Sequence, residues 1–313
     1  MATITATGPL KAVKDGRVDW TNIGLIIFAC VCAHAFPWQT LILSYAVLGP
    51  GHYLTEISWL HDRQYFVRGN WFLPCASTLA VFLTVVAFVR GESSSWLACG
   101  LLLSSLFAAL IGVAGWKSAA IAAAVGAAAI ASTSKHLPAI ALAVAILLPT
   151  VVHVFLFTLA FMTQGARRSG NAAGYLAVGA LILAATSFEA PLGAVTQAGG
   201  MSAQAAMSYF QPIVHELGHF GFDSSDTSRV VGFLGFAYAY HFLNWFSKVE
   251  IIRWHKVPPI RLIMMLYFWG AILVTYWINF ALGFMVSLLL SNLHVLLEFP
   301  LNIRAFVALP PRN

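Results

Sequence analysis

The chain has 313 residues, of which 60% are hydrophobic and only 9% charged, with a mean hydropathy of +0.82, whereas a soluble domain carries about 25% charged residues. No soluble fold of this length hides that much apolar surface, and the apolar runs lack the roughly ten-residue alternation of a membrane barrel. The net charge of +6 is assigned to basic loops beside anionic headgroups, with no nucleic-acid partner implied.

The expected fold class is therefore all-α, a polytopic integral membrane helical bundle of about eight transmembrane helices, each needing about 20 apolar residues. Residues 1–20 read as a polar N-terminal arm and not as a signal peptide, because Lys11, Lys14 and Arg17 precede a span too long for an h-region. These three cations favour a cytoplasmic N-terminus, in a cytoplasmic or inner membrane, although Arg63, Arg68, Lys117, Lys135, Arg167 and Arg168 spread over other loops. The first predicted span covers residues 21–48, interrupted by Pro37, and Gly49, Pro50 and Gly51 are expected to break it and start a new helix. Further spans are predicted over 72–90, 96–116, 118–133, 137–163, 172–190, 230–247 and 261–289. Small residues over 96–133 suit close helix approach. The whole of 21–305 forms one membrane domain, and 306–313 a C-terminal tail. Cys30, Cys32, Cys75 and Cys99 form no C-x-x-C pair and read as small buried hydrophobes.

Ionisable groups inside spans are costly and are functional candidates for that reason. They gather in four regions. In G-P-G-H-Y-L-T-E-I-S-W-L-H-D at 49–62, His52 and Glu56 are four residues apart and share one helix face, so both can reach one metal. His61, nine residues after His52, points to the opposite side of an ideal helix and needs a bend to join them. In the second region, V-H-E-L-G-H-F at 214–220, His215, Glu216 and His219 have H-E-x-x-H spacing, which puts two imidazoles on one face with a carboxylate between them. The third, Y-A-Y-H-F-L-N-W at 238–245, holds His241 in an aromatic apolar run, with Asn244 on the same face and Lys248, Arg253, His255 and Lys256 following. The fourth, N-L-H-V-L-L-E-F-P at 292–300, repeats the four-residue spacing with His294 and Glu298, and Pro300 is expected to limit that helix. His136 and His153 have no carboxylate near them in sequence and read as structural. Tyr209, Tyr238, Tyr240 and Trp245 read first as helix packing and second as the lining of an apolar cavity.

The five residues H-E-L-G-H at 215–219 resemble the zincin metallopeptidase motif. That resemblance implies His215 and His219 as zinc ligands and Glu216 as the general base, giving a membrane zinc hydrolase or protease. The H-x-x-G-x-x-H extension is absent, since Gly221 and Phe222 follow directly. The larger inventory of His52, Glu56, His61, His215, His219, His241, His255, His294 and Glu298 is similar in ligand style to polytopic non-haem iron oxygenases, hydroxylases and desaturases, including bacterial carotene-cleaving enzymes. This second resemblance implies a mono- or di-nuclear iron centre open to dioxygen, a lipophilic substrate or membrane lipid, and a redox partner, and it accommodates a homo-oligomer. Compact H-x-x-H-H boxes of the desaturases are missing. The leading expectation is a metal-dependent oxidoreductase of the monooxygenase or hydroxylase kind, with the zinc hydrolase second and a transporter using buried ionisable groups third.

Overall fold

The computed structural model describes residues 16–67, 69–88, 92–132, 141, 144–145, 147–189, 207–211 and 227–307. Among these residues the secondary structure is helical throughout, with no strand. Five stretches are long and apolar enough to cross a membrane by length and composition: Arg17–Ala35, Ser95–Ala114, Leu148–Ser169, Pro259–Ile278 and Phe280–Ala305. Phe72–Phe88 and Ala172–Thr186 are shorter apolar helices.

Helix α1 (Arg17–Ala35) stops where Phe36 turns to φ −139°, ψ 66°, and α2 (Pro37–Leu43) restarts with Pro37 in its first turn. A proline has no N–H to donate and a fixed φ that suits a helix start, so the break falls just before it. The expected second break at Gly49–Pro50–Gly51 does not occur. The chain passes from α2 through a π-helical segment (Ser44–Leu48) into α3 (Gly49–His61) with helical φ and ψ at Leu48 and Gly49. Pro50 falls in the first turn of α3, where a missing N–H costs little, and the wider π turn absorbs the ring that would otherwise clash. After α3, Gln64, Tyr65 and Phe66 take left-handed backbone with φ of 50°, 53° and 57°. The chain then reverses into α4 (Phe72–Phe88) and α5 (Glu92–Ala114), followed by α6 (Trp116–Ser132).

A ten-residue π-helical segment (Leu148–Phe157) leads directly into α7 (Thr158–Ser169). Gly170 ends α7 in the left-handed conformation at φ 65°, a geometry that glycine adopts without a Cβ penalty. Asn171 then caps α8 (Ala172–Thr186), its side-chain oxygen accepting from the Ala173 N–H at 3.0 Å. Helix α9 (Thr227–Ser247) precedes the short α10 (Val249–Ile252), α11 (Pro259–Ile278) and α12 (Phe280–Val307).

Two further expectations are corrected in this last part. The stretch 261–289 is not one span: Asn279 takes extended backbone, φ −150°, ψ 104°, and divides α11 from α12. Its side-chain oxygen accepts from the Leu282 N–H at 3.1 Å and so starts the next helix. Nor does Pro300 end the helix, because α12 runs 28 residues with Pro300 inside it. Packing on several sides compensates for the lost backbone bond, since α12 lies against α3, α4, α5 and α11.

Helix α9 is the partner of α1 and α2 in the other half of the packing. Gly232 and Gly235 permit that contact. A Cβ at Gly235 would stand 3.1 Å from the Pro37 carbonyl oxygen and 3.2 Å from the Leu41 nitrogen, both backbone atoms. Helix α3 contacts α9 and α12, and the π-helical segment 148–157 contacts the same two helices, so the four elements close a ring. Each of these four carries one histidine of the site described next.

Candidate metal centre

His52 and Glu56 sit on consecutive turns of α3, and the helical spacing read from the sequence holds: His52 Nε2 is 3.1 Å from Glu56 Oε2. His294 and Glu298 have the same spacing on α12. The tertiary fold adds His241 from α9 and His153 from the π-helical segment. His52 Nε2 lies 3.2 Å from His241 Nε2, and His153 Nε2 lies 3.1 Å from His294 Nε2. Ring centroids close a four-membered circuit, at 4.8 Å for His52–His241, 5.3 Å for His241–His153, 5.0 Å for His153–His294 and 5.3 Å for His294–His52. His52, His153, His294, Glu56 and Glu298 are buried, and His241 is half-buried.

The spacing tests whether one ion fits. Two nitrogens that each stand about 2.0–2.1 Å from one metal are about 3.0 Å apart at a right angle and about 3.4 Å apart at the tetrahedral angle. The observed 3.1 and 3.2 Å fall between those limits. The 3.1 Å from His52 Nε2 to Glu56 Oε2 fits a carboxylate oxygen as an additional ligand on the same side. His52, His241 and His294 can each offer a ligand atom within 4.8 Å of the others.

Hydrogen bonding at the outer nitrogens agrees with inward-facing Nε2 lone pairs. Thr158 Oγ1 is 2.7 Å from the Val154 carbonyl, which can only accept, so the hydroxyl proton is used there. The same oxygen, 2.8 Å from His241 Nδ1, therefore accepts from Nδ1–H and leaves the His241 Nε2 lone pair facing His52. Behind His153, Glu298 Oε2 is 3.2 Å from Nδ1, close enough for charge interaction but not aligned for a hydrogen bond. Nδ1 of His52 likewise completes no hydrogen bond.

Aromatic side chains wall the circuit. Phe242 and Trp245 flank His52, with centroids at 5.0 and 5.4 Å, and Tyr53 stacks on His294 at 4.4 Å. Trp245 is itself anchored, donating from Nε1 to Thr55 Oγ1 at 3.0 Å.

The structure brings together four of the residues expected as ligands at the sequence level, His52, Glu56, His241 and His294, and stations Glu298 behind them. His153, read from the sequence as structural, lies in the circuit beside His294, with Glu298 3.2 Å from its Nδ1. Thr158 is a second residue the sequence did not disclose. Pro149, four positions before His153 in an apolar run, was the available signal, because it favours the π-helical turns that rotate His153 inward. His61 and His255 stay apart from the circuit. His61 is 60% exposed beside Asp62, and His255 is exposed beside Trp254. No bend of α3 brings His61 inward, because the helix keeps its regular spacing to its end. His215, Glu216 and His219 lie outside the described residues, as does His136.

At the rim, Arg261 donates to Asp62 at 2.5 Å. Burial acts to raise the Asp62 carboxyl, but Arg261 and then His61 outweigh it and hold it below the usual carboxylate range. At the far end of α9, burial lowers the Lys248 amine to about 8 although the Asp19 carboxylate acts to raise it.

No family model, curated protein or solved structure matches this chain.

Proposed function

We propose that this protein is a multi-pass membrane metalloenzyme that oxidises a lipophilic substrate at one ion held by His52, His153, His241 and His294. The single observation that carries the reading is one buried circuit of four imidazoles from four helical segments, paired Nε2 to Nε2 at 3.2 Å for His52–His241 and at 3.1 Å for His153–His294. Five stretches of membrane-crossing length and composition support the setting. Burial of the circuit among apolar helices supports a substrate that arrives from lipid.

Four imidazoles and an adjoining carboxylate exceed the three protein ligands of a catalytic zinc site and suit iron, which accepts both donor types. Iron held there would supply dioxygen chemistry. The protein's own groups have separate tasks. Glu56 lies on the inner side of His52 and completes the donor set. Thr158 fixes the tautomer and ring orientation of His241, and Glu298 does the electrostatic part of that work for His153. Phe242, Trp245 and Tyr53 keep water away from the rings.

Elemental analysis of protein purified in detergent without added metal tests this reading. We expect about one iron per chain, lost in His153→Ala and kept in His215→Ala. Zinc that disappears in His215→Ala and persists in His153→Ala would replace the proposal with the hydrolase, and absence of any bound metal would overturn both.

A further inference from the structure

The tertiary contacts sort the helix ends onto two faces. Gly16, at the start of α1, lies against Asn171 between α7 and α8, and Ser247 at the end of α9 donates to Asn22 of α1 at 3.3 Å. Just beyond α9, the Ile252 carbonyl accepts from Trp59 near the end of α3 at 3.1 Å, and Asp62 after α3 pairs with Arg261 at the start of α11. Gly112, near the end of α5, lies against Val67 and Trp71 just before α4. Helix α12 ends at the same face, because the chain turns back at Asn279 after α11. The other ends meet on the opposite face, where α1 and α8 finish with His34 and Ser187 2.8 Å apart.

Cations collect at the first of these faces. Arg17 opens α1, Arg63 follows α3, Lys117 lies at the junction of α5 and α6, and Arg167 and Arg168 end α7. Lys248 and Arg253 bracket α10 with Lys256 after them, Arg261 begins α11, and Arg304 is in the last turn of α12. Among the described lysines and arginines only Arg229, in the first turn of α9, belongs to the other face. Asp19 and Asp62 are the acidic side chains described at the basic face, and they offset a small part of its charge. In the sequence these cations fall in many separate loops, and the fold gathers them.

Exposed indoles mark both faces. Trp20, Trp71 and Trp116 stand beside the cations, whereas Trp96 near the start of α5 and Trp277 at the end of α11 stand at the other face. Trp96 and Trp116 are twenty residues apart, about 30 Å at the helical rise, which is the thickness of a bilayer's hydrocarbon core. Tryptophan collects at both membrane boundaries, but lysine and arginine collect on the cytoplasmic side, so the charge tells the two boundaries apart. Helix α6 packs on α5, α7 on α8, and α11 on α3 and α12, which spreads the cations around the perimeter. That arrangement suits many small anions in a leaflet better than one acidic protein.

We infer that the basic face binds the phosphate headgroups of anionic phospholipids and therefore faces the cytoplasm, with the start of α1 and the end of α12 on that side. This orientation holds whether or not the histidines carry an ion.

Two measurements on the full chain test the inference. In a bacterial inner membrane, green fluorescent protein or alkaline phosphatase is fused to the C-terminus; the first fluoresces only in the cytoplasm and the second is active only outside it. We expect fluorescence and no phosphatase activity. Purified protein is then placed in vesicles of phosphatidylglycerol and phosphatidylcholine, with one or the other brominated, and quenching of tryptophan fluorescence gives their relative affinity. Phosphatidylglycerol should be held at least about threefold more tightly in about 0.1 M salt, and the preference should fade in about 1 M salt, where screening shortens the reach of charge to about 3 Å. Lys117→Gln/Arg167→Gln/Arg168→Gln/Arg304→Gln should also lose most of the preference, whereas Arg229→Gln should keep it. An active phosphatase fusion overturns the inference. So does equal affinity for the two lipids, as when the cations serve an acidic soluble protein, or a preference that survives either the high salt or the four substitutions.

Discussion

Thr158→Val removes one hydroxyl and leaves the shape of the side chain almost unchanged, so it isolates the role of a single hydrogen bond outside the ligand set. In the native protein that hydroxyl accepts from His241 Nδ1–H at 2.8 Å while donating to the Val154 carbonyl at 2.7 Å. Valine leaves the imidazole N–H buried without its acceptor, at a cost of about 1–3 kcal/mol. It also frees the ring to adopt the other tautomer, which would aim a hydrogen at the ion and no lone pair. At about 1.4 kcal/mol per factor of ten, this weakens metal binding by about 5- to 100-fold, the range found when an outer partner of a metal-bound histidine is lost. The assay is equilibrium competition against a chelator of known affinity, in detergent, with Thr158→Ser alongside. Serine keeps the hydroxyl and should restore native affinity. A Thr158→Val shift below about threefold, or failure of serine to restore binding, would refute the assignment of inward-facing Nε2 donors.

Three more outcomes are expected. Glu298→Gln should weaken metal binding by about 10- to 100-fold, whereas His61→Ala and His255→Ala should leave the metal content at the native level, all read by elemental analysis. Gly235→Leu drives a side chain against the backbone at Pro37 and Leu41. The expected cost is about 1–3 kcal/mol, seen as a lower unfolding temperature together with reduced metal content, because α9 carries His241. Finally, Lys248 is held at about 8 against an ordinary 10.5, so between those values the unfolded chain binds more protons than the folded one and stability rises with pH. Thermal unfolding in detergent between pH 8 and 10 should rise more steeply for wild type than for Lys248→Met, and parallel profiles would contradict the lowered value.

Rules that act along a few residues were enough to read much of this protein. Apolar runs foretold the helices, because the backbone in an apolar setting satisfies its hydrogen bonds within each helix. A four-residue interval placed His52 with Glu56, since side chains one turn apart share a helix face. The same interval singled out His294 with Glu298. His61 was already aimed away by nine residues of regular helix, and its exposure follows from that geometry. Proline was the less dependable guide. Pro37 interrupts its helix as expected, yet Pro50 and Pro300 do not, because a π turn in one case and packing on several sides in the other offset the missing backbone bond.

What the sequence by itself determined is therefore an apolar helical protein with ionisable side chains spaced to act in pairs. Only the tertiary structure decided which pairs meet. His153 and His294 are separated by 141 positions and His52 and His241 by 189, distances over which helical periodicity carries no information. His153 has no carboxylate within a turn of its own helix, and its partner Glu298 arrives on another helix. The rotation that points it inward comes from ten residues of π-helix, a departure from 3.6-residue periodicity that a regular helical projection does not anticipate.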